Sequence, residues 1–188
     1  MDTEPLLPQS ERPQNDDTPI ISGTEARLVE ARTHLAEAGL TFNPDSRDTI
    51  VGHYSDVELT IRLTDPLDLL SPRLSTVVPN RQFPDFWLAT NFSQQIQTTN
   101  QWKRLQTGHA TFDRQFLQYS LQPRKISSLL ADHHGLCDQL LEASAALSVT
   151  FSRGKLSFLP NMLPGTVFKA DEWLLYFNIA RDFRAILL

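Results

Sequence analysis

The densest group of reactive side chains in this chain is Asp132-His133-His134-Gly135-Leu136-Cys137-Asp138. A thiol four residues after an imidazole shares its helix face, the placing that a Cys–His nucleophile or half of a zinc site requires. The same spacing sets both on an apolar stripe with Leu129, Leu130 and Leu140. A thiol there behaves as a small hydrophobe with a raised pKa, not as an activated nucleophile. Zinc would need two more ligands, and His34, His53 and His109 are the only other histidines. Core packing is the reading adopted. A small metal-binding or Cys/His enzyme centred on His133, His134 and Cys137 is the alternative.

A second group is Thr107-Gly108-His109-x-x-Phe112-Asp113-Arg114-x-Phe116. Gly108 permits a tight turn, and Phe112 and Phe116 anchor what reads as a strand over 112–121. In a strand, the adjacent Asp113 and Arg114 point to opposite faces and cannot form one site by themselves. Asp113 then caps the turn or pairs with a distant cation. His109, Asp113 and Arg114 therefore stand as a ligand-binding or structural motif, with structural anchoring preferred. A third group, Phe83-Pro84-Asp85-Phe86-Trp87, lies in a proline-rich region. Exposed, Phe83, Phe86 and Trp87 would suit a partner surface; covered, they would form a satellite core beneath a loop, the reading preferred.

Other chemistry has no template. The seven glycines form no GxxxxGK or GxGxxG loop, and GxSxG and HExxH are missing, so no cofactor is implied. The formal charge is -5, yet residues 1–22 hold five acids against one base, leaving -1 for everything that follows. A near-neutral body offers no bulk field to phosphate backbones, which argues against nucleic acid. With one cysteine there is no intramolecular disulfide. No apolar run approaches the roughly 20 residues of a membrane span, and the N-terminus lacks the pattern of a secretory signal. The expectation is a soluble, cytoplasmic protein.

The elements that must position these groups follow from periodicity. Residues 1–21 hold four of the twelve prolines and little apolar pattern, and read as a disordered acidic tail. Ser22-x-x-Glu25 has capping-box spacing ahead of a helix with Leu28, Ala31, Leu35 and Ala38 on one stripe, closed by Gly39-Leu40. Strands follow over 49–54 and 57–63, the second alternating without a fault. Prolines 66, 72, 79 and 84 make 65–84 irregular, with a short strand over 74–78. A strand is expected over 85–92, while 93–108 fits a loop or a short helix equally. A long helix over 124–145, carrying Ile126, Leu129, Leu130, His133, Cys137, Leu140, Leu141 and Ala145 on one face, leads to a hairpin over 147–159. An amphipathic helix from Ala170 closes the chain, with Trp173, Tyr176, Phe177, Ala180, Phe183 and Leu187 inward.

This layout, with Thr107-Gly108-x-x-x-Phe112-Asp113-Arg114-x-Phe116 between the paired strands and the long helix, resembles a loose group of uncharacterised bacterial α+β proteins. In that group a short Gly-Asp-x-x-Phe-Asp-x-x-Phe stretch precedes a helix and hairpin. The likeness covers the layout of about residues 25–188, and His109 stands where that group has an acid. The group carries no known activity, so the resemblance implies layout alone. The fold class is α+β: one domain over 22–188, an antiparallel sheet with helices packed on one face, and a helix–strand–strand unit that recurs in outline. The function expected is non-enzymatic binding of another protein, or of a second copy of this chain, as an adaptor, scaffold or chaperone-like module.

Overall fold

Val57, Leu59 and Ile61 set the architecture, because three apolar side chains on one face of a strand require a covered sheet. The computed structural model describes residues 23–43, 49–64, 69–79, 83–90, 101–143, 147–160, 162 and 166–188. In it these three residues are fully buried in β3 (Val57–Thr64). Two strands flank β3 antiparallel, β2 (Thr49–Tyr54) and β4 (Leu69–Val77). The remaining strands are β1 (Thr41–Phe42), β5 (Phe86–Thr90), β6 (Lys103–Arg104), β7 (Phe116–Ser120), β8 (Leu147–Ser152) and β9 (Lys155–Pro160). Together they form one nine-stranded sheet in the order β1-β2-β3-β4-β9-β8-β5-β7-β6, every pairing antiparallel. The tail expected at 1–21 lies outside the described residues, as does 93–100; within 101–108 the chain forms strand β6 at Lys103–Arg104 instead of a short helix.

The helices are α1 (Gly23–Glu37), α2 (Ala110–Gln115), α3 (Pro123–Asp132), α4 (His134–Glu142) and α5 (Ala170–Ile186). They cover one face of the sheet. The helix α5 supplies most of the cover, packing on β3, β4 and β9 and touching α1 and α4. It buries Trp173, Tyr176, Phe177, Ile179, Ala180 and Phe183, with Tyr54 of β2 stacked on Phe177 at 4.7 Å. Each large apolar side chain so buried contributes about 1.5–3 kcal/mol gross, before the entropy of ordering is subtracted. The Glu172 carboxylate accepts from the Lys169 N–H at 2.8 Å and so satisfies the first turn. The helix α1 ends in a Schellman turn: the Gly39 N–H donates to the Ala36 carbonyl and the Leu40 N–H to the Leu35 carbonyl, both at 2.9 Å. Gly39 takes the left-handed φ of 82° that this turn demands.

Three elements depart from the sequence reading. The strand expected over 74–78 is the end of a nine-residue strand, β4, that passes through Pro72. The β4–β9 register runs over Leu74–Val77, so Pro72 lies beyond it, paired to Ile61 alone, where proline is tolerated. The strand expected over 112–121 begins only at Phe116, because 110–115 is helix α2. Phe112 and Phe116 are one helical turn apart and stack at 4.5 Å. The long helix expected over 124–145 is two helices, α3 and α4, broken at His133 with φ -125° and ψ 57°.

Two helix–hairpin units recur on either side of β4. One is α1 with β2–β3, the other α4 with β8–β9. Both hairpins turn on two residues, Ser55-Asp56 and Arg153-Gly154, and the first residue of each has positive φ.

Candidate functional site

The break at His133 decides the fate of the Cys–His group. On a continuous helix, His133 would face inward with Cys137; at the break it is exposed, and Leu136 is buried in its stead. Cys137 is fully buried, and its thiol donates to the Leu130 carbonyl at 3.6 Å. Burial first, then the Asp138 and Asp113 charges, push that thiol up to about 12. It is a poor nucleophile and a poor metal ligand there. His134 is exposed at the start of α4. Among the described residues, no group of three or more His, Cys, Asp or Glu side chains is arranged to hold a metal ion.

The second group folds into a clasp. Asp113 accepts from the Thr107 N–H at 2.8 Å, the Thr107 hydroxyl at 2.9 Å, the Gly108 N–H at 2.9 Å and the Gln118 amide at 2.8 Å. Three of these donors converge on Oδ1, and the Gly108 N–H alone takes Oδ2. Burial raises the Asp113 pKa, and these bonds, led by the one from the Thr107 N–H, outweigh it and hold the carboxyl below its ordinary value. Gly108, at φ 84°, bends the loop into reach. His109 caps α2: its Nδ1 accepts from the Phe112 N–H at 3.3 Å, so Nε2 carries the proton and donates to Asp138 Oδ1 at 3.0 Å. The His134 ring lies 5.6 Å from that of His109. Arg114 is exposed on α2. His109, Asp113 and Arg114 thus do not converge. Asp113 ties the loop to β7, and His109 ties α2 to α4.

Of the two readings of the 83–87 aromatics, an exposed partner surface or a core beneath a loop, Phe83 and Phe86 follow the second, being buried. Phe86 stacks on Phe151 at 5.7 Å and on Phe183 at 5.4 Å, and Phe83 packs edge-on to Phe86 and Phe151. The ammonium of Lys125 sits 5.0 Å above the Phe83 ring. Trp87 alone, pointing the opposite way along β5, reaches the uncovered face. It is half-buried there, stacked on Tyr119, and its indole N–H donates to the Ser148 hydroxyl at 2.7 Å.

That uncovered face holds the group the sequence did not disclose. A shallow groove of about 360 Å³ runs over β3, β4 and β9, lined by Arg62, Arg73, Lys155, Glu58 and the hydroxyl side chains of the same strands. Arg62, Arg73 and Lys155 form no ion pair among the described residues. Three exposed cations beside one carboxylate make a local positive patch on a chain of net charge -5. The outward alternation of Glu58, Thr60 and Arg62 was readable in β3. The register that brings Arg73 and Lys155 beside them joins strands distant in sequence and was not.

No family model matches the chain, and no curated protein matches it in sequence. Among solved structures it is similar to the crystal structure of the mycobacterial trehalose monomycolate transport factor A, TtfA. The TM-score is 0.58 at 9% identity, with 88% of this chain and 95% of that one covered. At that identity the likeness shows the shared α+β fold. Among the described residues, no helix is long and apolar enough to cross a membrane.

Proposed function

We propose that this chain is a non-enzymatic binding module, an adaptor, scaffold or chaperone-like protein, that recognises another protein through the face of its sheet left free by the helices. The observation that carries the reading is the groove over β3, β4 and β9, with Arg62, Arg73 and Lys155 unpaired among the described residues. Cations held out on a rigid sheet are free to pair with a partner, and their long apolar stems add contact area. Two further points support it. Cys137, the one thiol, is fixed inside the core with a strongly raised pKa. TtfA, which shares the fold, is named a transport factor.

Affinity capture tests the proposal, with the full chain compared against the R62E/R73E/K155E variant and equal melting temperatures as the folding control. The reading expects at least one protein retained by the native chain and lost with the variant. Identical capture by both would contradict it. Recognition of a second copy through the same face would appear as a concentration-dependent dimer that the variant abolishes.

A further inference from the structure

The cations stand in a register of their own. Arg62 lies opposite Ser71, Arg73 opposite Thr60, Glu58 opposite Ser75 and Lys155 opposite Val77. Measured along β4, the positive side chains therefore fall at levels 71, 73 and 77, with the carboxylate of Glu58 at level 75. All four point to the side free of helices, because the alternate residues Leu59, Ile61, Leu74 and Leu156 are buried. The levels span about 20 Å at roughly 3.3 Å per residue, crossing three strands about 4.8 Å apart. Exposed Val77 and half-buried Leu159 border the row.

We infer that the groove binds an extended, carboxylate-bearing protein segment with acids at positions i, i+2 and i+6 and a neutral or basic residue at i+4. This inference rests on the binding-module reading and names its partner's chemistry. An extended chain presents one face every second residue, about 6.6 Å apart, so acids at i, i+2 and i+6 fall in turn on Arg62, Arg73 and Lys155. An acid at i+4 would fall beside Glu58 and be repelled. Guanidinium groups take carboxylates in two-pronged pairs, which makes the spacing selective. A nucleic-acid strand fits less well. Its unbroken row of phosphates would meet Glu58 midway, and the near-neutral body beyond residue 22 adds no bulk attraction for a polyanion.

Fluorescence anisotropy with the full chain tests this, using a labelled threonine-rich peptide with Glu at i, i+2 and i+6 and Lys at i+4. The control is an isomer of identical composition whose three Glu are contiguous. The expected result is binding of the patterned peptide at least about tenfold tighter than the isomer, with the difference removed by R73E. In addition, E58Q should restore binding to a peptide carrying Glu at i+4. Equal affinity for both isomers overturns the inference, as does indifference to R73E. Tighter binding of oligothymidylate or of phosphatidylglycerol vesicles overturns it too. So does binding seen only after the acids at 2, 4, 11, 16 and 17 are neutralised in the full chain, which would make this chain's own acidic segment the occupant. If the peptide fails while R62E/R73E/K155E still loses a captured protein, the binding-module reading stands and the acidic-segment inference alone falls.

Discussion

The Cys137 thiol donates to the Leu130 carbonyl at 3.6 Å, across the break between α3 and α4. The same carbonyl accepts from the His133 N–H at 3.3 Å, so one oxygen serves both the end of α3 and the sulfur. The thiol is thereby part of how the break is held, and its neighbour His133 is turned to water.

Alkylation of Cys137 is therefore expected to be slow in the native state. At mildly alkaline pH an ordinary thiol is partly thiolate, whereas one pushed up to about 12 is almost wholly protonated. Iodoacetamide should modify the folded chain at least about 100-fold more slowly than the urea-unfolded chain. Mass spectrometry of quenched time points reads this directly, and comparable rates would place the sulfur at the surface.

Cys137 and Tyr176 should together make the fold sensitive to alkali. The Tyr176 hydroxyl donates to the Ala143 carbonyl at 2.9 Å, and burial, then the Glu172 charge, push it up to about 12. Both groups have folded pKa values above their ordinary 9.0 and 10.0. The unfolded chain thus loses these protons first. Their stabilisation is complete below about pH 9 and is lost as pH rises toward 12. Denaturant melts from about pH 8 to about pH 11 should show falling midpoints, and the C137A/Y176F variant a shallower fall.

Acid should act through Asp113. Its pKa is depressed, so its stabilisation is present above the ordinary value of 3.8 and is lost as pH falls through the lower folded value. Replacing Asp113 with Ala leaves the Thr107 and Gly108 N–H groups and the Gln118 amide without their acceptor, and should cost about 3 kcal/mol. D113N keeps one acceptor and cannot titrate. It should cost less and flatten the acid limb of the stability curve, as followed by circular dichroism.

The His109 ring caps α2 and bonds Asp138, and the two roles separate by substitution. H109A should lose about 1 kcal/mol, the usual cost of a missing N-cap acceptor. H109N should recover the cap while still losing the bond to Asp138. Urea midpoints of the two variants, with and without D138A, distinguish the contributions. An H109A midpoint equal to that of the native chain would show that the cap contributes nothing.

Much of the frame was legible in the sequence, for definite reasons. In β3, in the hairpin Leu147–Pro160 and in α5, apolar residues recur at one period only, so a single face can be buried. The helix break is not legible in the sequence, because His133 falls on the apolar stripe of Leu129, Leu130 and Cys137 while Leu136 falls off it. At the break His133 is turned to water while Leu130, Leu136 and Cys137 are buried. At 112–116 two periods overlap. Phe112 and Phe116 fit a helical turn, while Phe116, Gln118 and Ser120 fit a strand, and the observed chain uses one after the other. The cationic groove depends on pairing between β3, β4 and β9, and register across distant strands leaves no local signal.

The most direct test of the sheet face as the working surface is photo-crosslinking in the native host. A photoreactive residue would replace Thr60, in the groove, or Thr33, exposed on α1. If the face recognises a partner, Thr60 should yield a discrete crosslinked protein that Thr33 does not, and R73E should abolish it. Crosslinks from Thr33 alone, or equal crosslinks from both positions, would contradict the assignment.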